Sequence, residues 1–331
     1  MVEFAIIILE ILVVFGVLLL LVAYLTWLER KVLGHMQSRL GPHRVGINGL
    51  LQPIADGIKL FFKEDVIVTA ADKAVYHLAP FIILSTALST VAVIPFGDTI
   101  KLFGYEIPLR IADINIGLLY IFALSSLGVY GIVLAGWSSN NKYALMGGLR
   151  SAAQMISYEL PLGLATIGVL MQSESLSLGK IVQAQAVQGW FFLPQFIGFL
   201  IFFICAVAEC NRTPFDLPEA EGELVAGFHI EYSSMKFALF FMAEYASVIL
   251  MSALTVTLFF GGWLGPDFIS CPAWCGPIWF GIKVFIFSFV FIWLRATFPR
   301  FRYDQLMKFG WKILFPLSII NIALTAIVMI R

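Results

Sequence analysis

Residues Phe4–Trp27 read FAIIILEILVVFGVLLLLVAYLTW and run straight into Leu28-Glu29-Arg30-Lys31. The stretch holds 24 residues and a single charge, Glu10. At about 1.5 Å per residue a helix of that length reaches about 36 Å, enough to cross a hydrocarbon core of roughly 30 Å. It is too long for the core of a signal peptide, and its basic residues follow the apolar run rather than precede it, so it is expected to be retained. A backbone in lipid must satisfy its own hydrogen bonds, which leaves the α-helix as the structure for this segment.

The rest of the chain repeats the pattern. Of 331 residues, 60% are apolar and 13% charged, against about 25% charged in a soluble domain. Eight apolar runs approach membrane length, at 4–27, 78–96, 114–137, 150–171, 190–208, 237–263, 278–294 and 311–330. Seven of the eight tryptophans fall at or beside the ends of these runs, where an indole gains from the headgroup boundary. The sequence therefore predicts an all-α integral membrane protein with eight transmembrane helices. No internal repeat, low-complexity tract or long linker divides it, so residues 1–331 are expected to form one domain. Loops after the odd-numbered spans carry 16 Lys and Arg, and the opposite side carries four. The positive-inside rule then places both termini outside and the odd loops in the cytoplasm. Within the first of these loops, Leu50, Leu51, Ile54, Ile58, Phe61 and Phe62 recur at helical spacing against Gln52, Asp56, Lys59 and Lys63. That spacing predicts an amphipathic helix lying in the membrane interface.

Ionisable side chains inside apolar spans are costly and tend to face a cavity or a partner. Lys283 lies near the end of its span and is expected to snorkel outward; Glu10 sits early in the first span. Glu159 and Glu244 are different. Counted from Arg150 and Lys236, both carboxylates lie roughly 12–14 Å deep on the cytoplasmic side. No cation shares that depth on either helix. Each acid is either a protonated group bonded to a neighbouring helix or one member of a pair that carries protons, because two desolvated carboxylates cannot cheaply both be ionised. Tyr158 and Pro161 flank Glu159, and a proline there frees a backbone carbonyl. The loop from 209 to 236 holds Glu209, Asp216, Glu219, Glu221, Glu223 and Glu231 against only Arg212 and Lys236. Asp216-Leu-Pro-Glu219 has the form of a capping box. The remaining acids suggest a funnel that supplies protons to Glu244 and Glu159. Cations gather on the same side, at Arg30, Lys31, Arg39 and Arg44 and again at Arg295, Arg300 and Arg302.

Several chemistries are disfavoured. His35, His43, His77 and His229 all lie outside the spans, which argues against a haem held between helices. The four cysteines, Cys205, Cys210, Cys271 and Cys275, form no CxxC pair and no zinc spacing with histidine. Cys271 and Cys275 share a short loop, where two small residues in a turn is the simpler reading. No dinucleotide fingerprint or phosphate loop appears. The expectation is a chain that binds no haem, flavin, iron–sulfur cluster or metal of its own. Its formal charge of zero gives no field for nucleic acid.

Five stretches in order carry a family resemblance. They are Glu29-Arg-Lys-Val-Leu-Gly34 through Gly41-Pro42 and Val45-Gly46; Trp137-Ser-Ser-Asn-Asn-Lys-Tyr143 into Arg150, Gln154 and Ser157-Tyr-Glu159; Asn211-Arg-Thr-Pro-Phe-Asp216 through Glu223–Gly227 and Glu231-Tyr232; Ala243-Glu-Tyr245; and Arg295 through Pro299-Arg-Phe-Arg-Tyr-Asp-Gln305. With these the chain resembles the H-type membrane subunits of proton-pumping NADH:quinone oxidoreductase, respiratory complex I. The resemblance implies a subunit joining the membrane arm to the soluble redox arm, in a bacterial cytoplasmic membrane. Its partners would be the other membrane-arm subunits, the redox-arm subunits, lipid, and quinone as substrate. It further implies a quinone tunnel walled partly by Arg30, Arg39, Asp56, Phe237, Phe241, Arg295 and Arg300. The acidic route would run through Glu209, Asp216, Glu219, Glu221, Glu223, Glu244 and Glu159. The isolated chain would have no activity. Two other readings compete: the homologous membrane subunit of an energy-converting hydrogenase, and a free-standing secondary transporter, which would usually show repeated halves.

Overall fold

The computed structural model describes residues 2–102, 105–218, 221–265 and 273–330. Glu219 and Cys271 lie outside the described residues, as does the side chain of Glu221. Helices make up 74% of the structure. Among the described residues seven helical segments are long and apolar enough to cross a membrane: 7–36, 73–91, 117–138, 142–173, 234–259, 276–297 and 303–330.

In chain order the helices are α1 (Val2–Met36), α2 (Gln52–Phe62), α3 (Lys73–Val91), α4 (Gly117–Ser138), α5 (Lys142–Ser173), α6 (Leu178–Gln188), α7 (Phe196–Glu209), α8 (Glu221–Leu224), α9 (Ser234–Phe259), α10 (Gly276–Thr297), α11 (Tyr303–Phe309) and α12 (Phe315–Ile330). A π-helical turn, Gly310–Leu314, makes α11 and α12 one continuous rod. A two-stranded antiparallel hairpin, β1 (Thr99–Leu102) and β2 (Tyr105–Pro108), precedes α4.

The helix ends differ from those read from hydropathy, and local chemistry explains the shifts. Helix α3 starts at Lys73 because Asp72 accepts from the backbone N–H groups of Ala74 and Val75, and it stops short of Pro95. Helix α5 begins at Lys142 rather than Arg150, since Asn141 accepts from Tyr143 N at 2.9 Å. The fifth apolar run is shortened instead. Trp190–Gln195 form turns, Phe192 N donates to the Phe259 carbonyl, and α7 begins only after Pro194. Its 14 residues give a helix of about 21 Å, less than a full hydrocarbon core. Helix α6 has no counterpart among the apolar runs; it buries Leu178, Ile181, Val182 and Gln185 on one face.

Burial ranks the helices. The most apolar window of α9 is 67% buried, that of α5 56%, and that of α1 only 11%. Helix α9 packs against α1, α3, α6, α7 and α10, while α5 packs against α4, α7 and α12. These two central helices carry Glu244 and Glu159. Small residues allow the closest approaches. A Cβ added at Gly136 of α4 would lie 2.5 Å from the carbonyl oxygen of Ala144, and one at Gly147 would lie 2.8–2.9 Å from the backbone of Gly227 and Phe228.

Lys283 ends on backbone carbonyls just past α9. Its Nζ donates to the carbonyls of Phe260, Gly262 and Leu264 at 2.7, 3.1 and 2.6 Å and stands 4.8 Å above the Trp190 ring. The lysine closes the end of α9, where Gly261 and Gly262 take positive φ and free the last carbonyls.

Overpacking at a close helix contact costs about 1–3 kcal/mol. Gly136→Ala should therefore lower the melting temperature of the detergent-solubilised protein. Gly163→Ala, on the same helix pair with nothing within 4 Å of the added carbon, should leave it unchanged or slightly raised, as expected for a helix-interior glycine. Equal behaviour of the two variants in a thermal-shift assay would refute the packing account.

Candidate functional site

The acids of α5, α7 and α9 meet α4 and the loop after α7. Adjacent hydroxyls on α4 serve two different helices. Ser125 Oγ donates to Glu209 Oε1 at the C-terminus of α7, and Ser126 Oγ donates to Glu159 Oε1 on α5. Glu209 is 6% exposed, and its second oxygen has no hydrogen-bond partner among the described residues. Glu159 lies within electrostatic range of Glu209.

Glu244 has other neighbours. Arg212 Nε lies 3.0 Å from Glu244 Oε1, and its Nη1 reaches the two oxygens of Glu29 at 3.3 and 3.5 Å. The Arg212 guanidinium lies 4.4 Å from the centre of the Tyr245 ring. Arg295 Nη1 donates to Glu29 Oε1. The expected pair of deep carboxylates is thus arranged differently: Glu159 and Glu209 bond adjacent serines, and Glu244 faces Arg212. Two acids and two arginines form a charge-neutral quartet linking α1, the loop, α9 and α10. A space of about 10 Å³ opens among Leu25, Glu29, Arg212, Tyr245, Val248, Phe291, Ile292 and Arg295.

One cavity connects the two groups. It measures about 80 Å³ and is lined by Thr86 and Thr90 of α3, Ser125 of α4, Glu209, Asn211, His229, and Phe241, Glu244 and Ser247 of α9, among apolar side chains. Glu209 and Glu244 therefore open onto the same space, and Phe241 shares its wall. Burial pushes His229 down to about 4, so its ring is neutral at physiological pH. The ring packs against Phe237 and Phe241 at 5.4 and 6.0 Å. Tyr76 and Tyr232 stack on each other at 4.1 Å.

The other expected residues fall into separate groups. Asp216 is 7% exposed and binds Arg300 at 2.7 Å, and its Oδ1 has no hydrogen-bond partner among the described residues; the capping box expected of it ends on Glu219, outside those residues. Burial holds its carboxyl above the usual range despite Arg300 and Arg295. Arg30 meets Asp56 at 2.5 Å, with Gln52 at 3.0 Å and Lys59 at 3.7 Å. Burial opposes ionisation of Asp56, but the bonds to Arg30 and Gln52 outweigh it and hold the carboxyl below its ordinary value. Arg39 is exposed and donates to Gln37. Glu223, half exposed, pairs with Arg150 at 2.6 Å, and Glu231 accepts from Asn141. In the sequence Arg212 and Tyr245 stand within stretches that carry the family resemblance but are given no role, and Ser125 and Ser126 carry no mark at all. The adjacent serines within an apolar span are the one signal that could have pointed to the site.

A family model described as NADH dehydrogenase matches residues 9–326 of this chain. Among similar proteins, the second H-type NADH-quinone oxidoreductase subunit of Geobacter metallireducens is 59% identical, over 97% of this chain and 94% of that one. The corresponding subunit of Rhodospirillum rubrum is 55% identical, over 92% and 88%, and that of Thermomicrobium roseum 53%, over 96% and 94%. Identity of that extent over nearly the whole length, on a bundle of apolar helices, shows that the chain belongs to the H-type subunit family of NADH-quinone oxidoreductase and is a membrane subunit of that enzyme complex.

Proposed function

We propose that this subunit forms part of the passage that admits quinone and part of the path whose protons couple quinone reduction to proton translocation. The observation that carries the reading is the cavity onto which Glu209 and Glu244 both open, with Glu159 beside Glu209. At about 30 Å³ per molecule the space suits two or three waters, and Thr86, Ser125, Asn211 and Ser247 offer them partners. A proton on Glu159 or Glu209 then has a short hydrogen-bonded way to Glu244. On the quinone side, Arg295 and Arg300 present guanidinium groups near Glu29 and Asp216, while Phe237 and Phe241 supply aromatic surface. Arg30 of α1, Asp56 of α2 and Arg39 of the loop between them border the same side. Electrons arrive from redox subunits of the complex, since quinone is this chain's substrate.

The surrounding architecture fits a bacterial cytoplasmic membrane. Helix α7 with the turn before it serves as an eighth crossing, and the chain behaves as one domain. Helix α2 exposes Ile54, Ile58, Phe61 and Phe62 by 55–82%, as a helix floating in the lipid interface would. The excess of cations on the odd loops sets those loops in the cytoplasm and both termini outside. In a cysteine-free background, Lys180→Cys should react with an impermeant thiol reagent on intact cells, whereas Lys142→Cys should react only after permeabilisation. The reverse pattern would overturn the orientation.

Replacing a carboxylate by an amide keeps its shape and removes its proton. Glu159→Gln, Glu209→Gln and Glu244→Gln should each assemble and lower coupled quinone reduction by about a hundredfold. NADH oxidation with a hydrophilic acceptor should stay near normal. The double Glu159→Gln/Glu244→Gln variant should be little slower than the slower single one, because groups acting in series are not additive. Normal turnover and normal proton uptake in an assembled single variant would make that carboxylate structural.

A further inference from the structure

Arg212 serves two acids at once. It is 6% exposed, and it meets two carboxylates on two different helices with two different nitrogens. Its ion pair with Glu244 is the shorter, at 3.0 Å, while its side-chain hydrogen bonds go to Glu29. Its contacts to Glu29, at 3.3 and 3.5 Å, exceed the roughly 2.7–2.9 Å of a well-formed charge-assisted bond. Its Nη2 has no hydrogen-bond partner among the described residues. The guanidinium lies over the face of Tyr245, so it can slide in its own plane while keeping the attraction of the ring. A small space lies beside it, bounded by Glu29, Tyr245 and Arg295.

Glu29 has a second cation. Arg295 binds it from α10, and that side chain is 37% exposed while Glu29's is 5% exposed. The arrangement is asymmetric, with one outward-reaching arginine and one buried arginine sharing an acid that cannot be left bare. A buried carboxylate stripped of its partner is strongly disfavoured.

We propose that Arg212 is a positioning residue for the proton path, a shared cation whose division between Glu29 and Glu244 decides whether Glu244 takes a proton from the cavity. The inference rests on the reading of Glu244 as a proton carrier. An anionic group arriving beside Arg295, such as a reduced quinone headgroup, draws Arg295 away from Glu29. Arg212 then closes on Glu29 and loosens from Glu244. Glu244 is left without its counter-charge, and the inexpensive remedy is a proton. It comes across the cavity from Glu209: an O–H bond breaks on Glu209, one forms on Glu244, and the Glu209 carboxylate is refilled from the Glu159 side. When the anion leaves, Arg295 returns to Glu29, Arg212 returns to Glu244, and the proton is released. Charge at the quinone thereby reaches the acids without contact between them.

The test uses the assembled complex in native membranes, with NADH oxidation by a hydrophilic acceptor as the measure of assembly. Arg212→Lys keeps the charge but cannot hold two carboxylates in a planar fork. It should lower kcat for quinone reduction about tenfold or more, together with proton translocation, and leave KM for quinone within about twofold. Full kcat and full translocation in Arg212→Lys would show that a buried positive charge suffices and would overturn the proposal. Should that variant fail to assemble, Glu29→Gln asks the same question, because it leaves Arg212 with Glu244 alone. The expected result is again a loss in kcat without a change in KM, and a wild-type kcat overturns the proposal. Glu244→Gln is measured alongside. If it is itself fully active, both the proton-carrier reading and this inference fall; if it is slow while Arg212→Lys is not, only the shared cation is refuted.

Discussion

The bridge from Glu29 through Arg212 to Glu244 constrains everything around it. Each of these charges costs several kcal/mol to take out of water, and only good pairing offsets that cost. Arg212 comes from a loop, so the loop has to descend between α1 and α9 to deliver it. Residues 214–218 are accordingly buried, with Phe215 4% and Leu217 1% exposed. Glu29 ties in α1, whose most apolar window is only 11% buried. A helix so weakly packed gains little orientation from apolar contact, and the ion pairs at its inner end fix its rotation. Removing one member of such a set leaves the others unpaired, which costs about 3–5 kcal/mol. The quartet is therefore part of what joins the outer helix to the bundle.

Much of this is legible in the sequence, and the limit lies where one would expect from the physics. Long apolar runs decide that helices form, because lipid leaves the backbone no other partner. Where a helix ends is decided by single residues that hydropathy does not weigh. Asp72 and Asn141 extend two helices, and Pro194 shortens a third. Rise per residue is fixed, but a depth counted from Arg150 depends on where the helix starts, and α5 starts at Lys142. Lateral neighbours are not legible in this way. That Glu209 and Glu159 bond adjacent serines depends on how α5 and α7 pack around Ser125 and Ser126. Lys283 shows the same limit: five residues from a span end, it has the reach to snorkel, but which carbonyls receive it depends on the turn at Gly261 and Gly262.

The length of α7 links these features. It has 14 residues, against 32 in α5 and 26 in α9. A helix that starts late, after Pro194, and ends at Glu209 leaves its C-terminal carboxylate among neighbours that continue past it. The chain beyond Glu209 then runs as irregular backbone inside the bundle. Irregular backbone at that depth is tolerated only where protein, not lipid, surrounds it, and here α4, α5 and α9 do so. One consequence is that Arg212 and Asp216 enter the protein from a loop, where a helix of full length would have held them at the surface. Another is that Glu209 and Glu244 face one cavity from different directions. On α9, Phe241 and Glu244 are three residues apart and so lie on nearly the same face. An aromatic side chain and an acid that line the same cavity are thus carried by one turn of one helix, and a shift of that turn moves both.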